Sequence, residues 1–560
     1  MIVSGIDSIS NLTHPFQKLA STNSDPTSFH RPLKLHGRAF YESIGSPKFI
    51  LAPMVDQSEF AWRLLTRSFL SSSSSSSLLA YSPMLHARLF AATPKFRDAH
   101  FQPLRTSLSS HASSPGDEPY LDGNPKLDRP LFVQFCANDP NELLAAAKYV
   151  APYCDAIDLN LGCPQGIAKK GKYGAYLQED QELIFSLVNV LHENLNIPVT
   201  VKIRILDSKE RTLAYAQNVL KAGASIITVH GRTREMKGHK TGLADWSVIR
   251  FLRENLPSDT VIFANGNILK HKDLAYCLEV TGADAIMSAE GNLHDPAIFA
   301  SPPAIGEEGR EYWRAQDGKG GWRVDAIFRR YMDIIYKYVL EIPPPERKPL
   351  YLPSDPESDI QVTQMKNGKR FSNENFEEAV PQNKKQKREK AEKSTNPNLK
   401  AMQPHLFHLL RPLISRHHHV RDALAKCRAG NIACFESVLQ MVEEVVKDGL
   451  RQYVKTQGKS WSEDLEQDKR LKPDLLLSTH QEKKRESAEE NGGKNNLDGI
   501  NEVDSQITLD HSSVETIMEC LRPWWVAQPY VRPLPKEALA KGSWALSKRE
   551  LKEAAQKLRT

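Results

Sequence analysis

Val199-Thr-Val-Lys-Ile-Arg-Ile205 is the stretch that decides the fold. Side chains alternate across a strand, so Val199, Val201, Ile203 and Ile205 share an aliphatic face, while Thr200, Lys202 and Arg204 share the other. The aliphatic face asks for helices to cover it. The opposite face carries two cations, and cations turned into a protein interior are costly unless an anion meets them. Helices outside and charge inside describe a strand of a closed barrel that holds a ligand at its mouth.

Working outward, seven more short β-rich runs share this texture: 49–55, 78–84, 131–137, 156–161, 225–230, 261–265 and 285–289. Helical patterns separate most of them, at 141–150, 181–194, 212–222 and 270–281. Together with 199–205 this makes eight β/α units in one α/β domain, which predicts a TIM (β/α)8 barrel over 47–300. An open doubly wound sheet is the runner-up, but no GxGxxG opens the first unit. Two insertions interrupt the barrel: the serine run 71–77, a flexible spacer, and 102–128, whose Ser, Pro, Asp and Gly content predicts a surface loop.

The same alternation turns Gln134, Asn160, His230 and Asn265 inward, with Glu290 just past the eighth strand. All lie at strand C-terminal ends, where barrel enzymes keep their active sites. Within Ile157-Asp-Leu-Asn-Leu-Gly-Cys-Pro-Gln165, Cys163 stands on a tight turn at such an end, placed to act as acid, nucleophile or metal ligand. Pro53-Met-Val55 offers an apolar ledge to an aromatic ring system. Asn265-Gly-Asn267 and Ala289-Glu-Gly291 close strands seven and eight, where this fold usually binds phosphate. Gln134, a donor and an acceptor, can read a heterocycle edge, and Lys202 can neutralise an anion.

Composition bounds the rest. The chain has 560 residues and a net charge of +6, mildly basic, which permits a nucleic-acid partner. Its seven cysteines form no CxxC pair, so neither a zinc site nor a disulfide framework is expected, and a reducing compartment, cytoplasmic or nuclear, is. No apolar run of about eighteen residues suggests a membrane span. A disordered leader is expected over 1–46. A smaller all-helical domain is expected over 301–350 and 400–456, with disordered inserts at 351–399 and 457–515. An aromatic and basic segment, 516–560, ends the chain, its Trp524 and Trp525 free either to stack on bases or to pack back onto the barrel.

These residues also carry a family likeness. Leu51-Ala-Pro-Met54, Asn160-Leu-Gly-Cys-Pro-Gln165, GKYGAYL at 171–177, Val201-Lys-Ile-Arg204, Val229-His-Gly-Arg-Thr-Arg-Glu235, Ala264-Asn-Gly-Asn267 and GADAIMSAEG at 282–291 occur in order. The chain resembles the tRNA-dihydrouridine synthases, and within them the eukaryotic branch acting on positions 16 and 17 of the D-loop. The resemblance implies FMN as bound cofactor, NADPH or NADH as electron donor, and tRNA as substrate. By motif, Pro53, Met54, Val55, Gln134, Lys202, His230, Asn265, Gly266, Asn267, Ala289 and Glu290 would contact FMN. Cys163 would protonate uracil C5 after hydride reaches C6, a general-acid role that wants a thiol keeping its proton. Asn160, Arg204, Arg232 and Arg234 are the expected substrate contacts. The helical domain, with Arg411, Arg416, Arg421, Lys426 and Arg428, is expected to bind tRNA, and the enzyme is expected to be a monomer. The basic run 384–390 reads as a nuclear signal, an RNA arm or a solvated linker.

Overall fold

Eight parallel strands close into a barrel in the computed structural model, which describes residues 34–71, 78–108, 118–356, 396–464 and 513–540. They are β1 (Phe49–Leu51), β2 (Leu78–Tyr81), β3 (Leu131–Cys136), β4 (Ala156–Leu161), β5 (Val199–Arg204), β6 (Ala224–His230), β7 (Val261–Asn265) and β8 (Ala285–Ser288). Each pairs in parallel with the next, β8 returns to β1, and a two-residue piece at Leu85–His86 resumes the second strand beside β3. The described residues from Leu35 onward form one compact unit.

The alternation read from β5 is the one the fold uses. Val199, Val201, Ile203 and Ile205 join the layer between strands and outer helices, together with Leu187 of Gln181–Asn194 and Val219 of Lys209–Lys221. Aliphatics at every second position give those helices a dry surface, and each such side chain contributes roughly 1.5–3 kcal/mol by leaving water. The barrel interior is a separate cluster that includes Ile50, Phe132, Ile226, Phe263 and Met287.

Several expectations need correction. The leader does not run to 46: Gly37–Ser43 is a helix whose Phe40 and Tyr41 are buried in the barrel interior. The Tyr41 hydroxyl donates to the carbonyls of Pro47 (3.0 Å) and Asp284 (3.1 Å), at the entries of β1 and β8, so the helix closes the end opposite the mouth. Residues 118–128 are not a plain surface loop, because Asp122 and Asp128 are buried against Arg63 at 2.7 and 2.5 Å. The neighbouring Arg67 ties the carbonyls of Leu78 and Pro130, which fixes where β2 and β3 begin. β1 stops at Leu51, leaving Pro53, Met54 and Val55 in the turn beyond it.

Past the barrel, a two-stranded antiparallel hairpin (Tyr312–Arg314 with Gly320–Trp322) precedes the helices, so this part is not helical throughout. The helical layer is built from Val324–Ile334, Pro397–Leu409, His418–Lys426 and Ile432–Lys455. Pro397–Leu409 and Ser513–Cys520 both begin inside stretches expected to be disordered. Trp524 and Trp525 are buried, not offered to bases. Residues 1–33, 72–77, the basic run 384–390 and residues 541–560 lie outside the described residues. Among the described residues no helix is long and apolar enough to cross a membrane.

Removing Arg63 would leave two buried carboxylates uncompensated. Arg63→Ala is therefore expected to lower the unfolding free energy by about 3–5 kcal/mol in urea titration. A loss below about 1 kcal/mol, the range of an exposed pair, would refute the buried cluster.

Candidate active site

The mouth is organised by a chain of buried hydrogen bonds that ends at the Cys163 loop. Asp158, on β4, accepts from Thr200 Oγ1 (2.6 Å) and Gln134 Nε2 (2.8 Å). Gln134 Oε1 in turn accepts from Asn160 Nδ2 at 2.8 Å. Asn160 Oδ1 then accepts the backbone N–H groups of Gly162 (3.2 Å) and Cys163 (2.9 Å). The carboxamide orientations follow from the network, since only one assignment gives every donor an acceptor. Burial pushes the Asp158 carboxyl up to about 6, against the pull of its hydrogen bonds and of Lys202. Asp158 and Thr200 were missed as site residues, although both share the inward parity of Asn160 and Lys202.

A second layer of contacts clamps the Cys163 loop from above. Arg204 Nε donates to Gly162 O at 2.8 Å and its Nη1 to Thr233 O at 2.8 Å, joining the β4 and β6 loops. Lys237 Nζ and the Tyr176 hydroxyl both donate to Pro164 O, at 2.6 and 3.0 Å. Ala175 N donates to Cys163 O at 3.1 Å. Gly174 makes that approach possible: its φ is +65°, and a Cβ there would sit 2.9 Å from Cys163 O and 3.0 Å from Cys163 Cβ.

Cations crowd the opposite side. Lys202 donates to Asn265 Oδ1 at 3.0 Å, and Asn265 Nδ2 donates to Met287 O at 2.9 Å. Burial, then Arg204, brings the Lys202 ammonium down to about 8. The same two causes bring Arg232 down to about 10, and burial alone lowers Arg204 to about 10. Burial and these three cations hold His230 well below its usual value, so it is neutral at pH 7. Arg232 Nη1 lies 3.0 Å from His230 Nε2, and a guanidinium only donates, so Nε2 accepts. Arg232 also donates to Gly242 O (3.0 Å) and Asn267 Oδ1 (2.6 Å).

Beside these cations opens a cavity of about 630 Å³, within the range of small-molecule sites. Its walls include Pro164, Arg204, His230, Arg232, the Asn265-Gly-Asn267 turn, Ala289 and Glu290. Gly266 has a φ of +116°, and a Cβ there would meet Ala244 Cβ at 2.6 Å, so the turn requires glycine.

These features agree with what the comparisons find. The dihydrouridine synthase family model matches residues 50–320. A tRNA-dihydrouridine(16/17) synthase [NAD(P)(+)] of Schizosaccharomyces pombe is 38% identical over 90% of this chain and 92% of its own length. This chain belongs to the dihydrouridine synthase family. The enzyme of the same name from Saccharomyces cerevisiae is 52% identical, over 54% of this chain and 63% of its own length. A human tRNA-dihydrouridine(20a/20b) synthase [NAD(P)+]-like protein is 35% identical, over 45% of this chain and 70% of its own length.

Within this family member the candidate residues fall into four groups. His230, Asn265, Gly266, Asn267, Ala289, Glu290, Arg204 and Arg232 line the cavity. Gln134, Asn160, Lys202 and Cys163 form the network floor and loop beside it. Pro53 and Met54 are half-buried and Val55 is exposed in the turn after β1, outside the cavity walls. Arg234 is turned away: it pairs with Glu179 at 2.7 Å and stacks over Tyr176, so it braces the Cys163 loop instead of meeting a ligand. Arg204 and Arg232 likewise spend most of their donors on backbone and side-chain acceptors of the site.

Gly174→Ala tests the clamp. The substitution combines a positive φ with a Cβ inside the Cys163 loop, so a stability loss of about 1–3 kcal/mol is expected in urea titration. An unchanged midpoint would contradict the close approach.

Proposed function

We propose that this protein is an FMN-dependent tRNA-dihydrouridine synthase of the 16/17 class, drawing electrons from NAD(P)H and reducing the C5–C6 bond of uridine in the tRNA D-loop. The observation that carries the reading is a cysteine held by a buried network at the mouth of a barrel, beside a cavity ringed by cations. The chemistry of that ring suits FMN. Burial lowers the proton affinity of Lys202, Arg204 and Arg232, and the charge of Arg204 lowers that of the other two further, an arrangement that an anionic ligand relieves.

Asn267, Arg232 and the Gly266 turn would hold the phosphate end. His230, Asn265 and Ala289 would line the middle. Lys202, Gln134 and the Pro53-Met-Val55 turn would take the ring. When bound, FMN supplies a hydride to uracil C6 and is recharged from NAD(P)H. Cys163 Sγ gives the proton to C5, and the Asn160 carboxamide fixes the loop that aims it. The uridine must leave its stack to reach this depth. Lys169, Lys170 and Lys172 are exposed on the segment just after Cys163, placed for phosphates flanking the extruded base. Among the helical-domain candidates, Arg416 pairs with Asp464 and Arg421 with Asp422, while Lys426 is exposed.

Purified protein should be yellow and release FMN on denaturation. In Cys163→Ala, NADPH should still bleach the flavin, while dihydrouridine formation on unmodified tRNA falls by roughly 100-fold or more. Dihydrouridine formed at the wild-type rate would rule out Cys163 as the acid.

Lys202 gives a pH signature. Its ammonium in the empty site loses its proton near pH 8, so the charge that attracts FMN is present below that pH and lost above it. FMN affinity, followed by fluorescence between pH 7 and 9.5, should weaken as pH rises through 8. Lys202→Met should bind weakly with a flat profile across that range. An unaltered slope in Lys202→Met would exclude this role.

A further inference from the structure

The chain's last described segment runs back over the barrel mouth and supplies a wall of the cavity. Residues 530–534 and Thr516 face Arg232, Ala289 and the Asn265-Gly-Asn267 turn across the same space. The mouth of the barrel is therefore completed by residues some 240 positions beyond β8.

The route of this segment is built into the fold at both ends. Trp524 and Trp525 pack against Gly449, where a Cβ would stand 2.6 Å from Trp524. Val324 N donates to Trp525 O at 3.0 Å and Ala527 N to Trp322 O at 2.8 Å, extending the small hairpin. Gly321 faces Val526 so closely that a Cβ there would lie 2.5 Å from Val526 Cγ1. Past the cavity, Pro535 begins the helix Pro535–Ala540, and its ring would lie 3.6 Å from a Cβ on Gly242, in the loop after β6.

Between these anchors the segment is fastened at Tyr530 and at Arg532. Arg411, from the helical layer, lies over the Tyr530 ring at 3.6 Å. Arg532 makes a two-pronged ion pair with Glu290, Nε to Oε2 at 2.8 Å and Nη2 to Oε1 at 2.7 Å. Glu290 sits immediately after β8, on the cavity rim. A planar, two-bond arginine–carboxylate contact fixes direction as well as distance.

We infer that residues 520–534 form a strap that is part of the cofactor site, and that the Arg532–Glu290 pair is the latch holding it against the rim. The inference rests on the flavin reading above and adds to it a positioning residue from the far end of the chain. It also gives Glu290 a different task from a ring contact: both its oxygens face the strap. Because Gly449 and Arg411, which hold the tryptophans and Tyr530, belong to the helical layer, the strap ties that layer to the cofactor cavity.

The test is FMN affinity by fluorescence titration of Arg532→Glu, Glu290→Arg and the double exchange, with thermal melts of each. Each single variant should weaken FMN about tenfold or more, with a melting temperature close to wild type. The double exchange rebuilds the pair with its charges reversed and should return affinity to within about threefold of wild type. Wild-type affinity in both single variants would overturn the strap as part of the site. Loss in the singles with no recovery in the double would overturn the latch, since Arg532 would then act on the cofactor itself. A wild-type protein that takes up no FMN would overturn the flavin reading, and this inference with it.

Discussion

Everything at the mouth depends on the carboxamide of Asn160. Its oxygen takes the two backbone N–H groups that shape the Cys163 turn, and its nitrogen is held by Gln134, which is held by Asp158. Buried polar groups without partners are expensive, so a network of this kind is stable only when every member is satisfied. Satisfaction fixes the rotamers of three adjacent strands at once. It thereby converts the register of β3, β4 and β5 into the position of one sulfur atom. Asp158 completes the chain at a cost that burial makes visible in its raised pKa.

A second constraint joins the barrel to the helices beyond it. The turn after β1 leads into Glu59, whose carboxylate meets His405 Nε2 at 3.0 Å in a fully buried contact. Trp62 stacks on the His405 ring with centroids 3.8 Å apart and planes 4° from parallel, and Ala61 N donates to Asn398 Oδ1 at 2.9 Å. The helical layer is thus fastened beside the Pro53-Met-Val55 turn, and the strap carries the same layer across to Glu290. Placement of the helices and the shape of the cavity are coupled through the two sides of the mouth.

What could be read in advance follows a physical division. Period-two alternation is local, so β5 alone told which residues face the helices and which face the axis. The eight strands follow from the same rule, and so does the convergence of Gln134, Asn160, Lys202, His230 and Asn265. Asp158 obeys that parity too, but it lies deeper than Asn160 and its role shows only in its contacts with Gln134 and Thr200 on the neighbouring strands. Contacts between distant segments left no local trace. Nothing near Arg63 announces Asp122 and Asp128, and nothing in the Gly, Ser and Asp texture of 102–128 announces burial. The Phe40–Tyr41 helix is too short to show a period. Arg532 reads as one more basic residue until the fold brings it to Glu290.

The proposed reaction is the reduction of uridines 16 and 17 of tRNA. The direct measurement is position-by-position mapping of dihydrouridine in tRNA from cells that lack the protein. Positions 16 and 17 should remain uridine while dihydrouridine elsewhere in the same tRNAs persists. Dihydrouridine retained at both positions would contradict it.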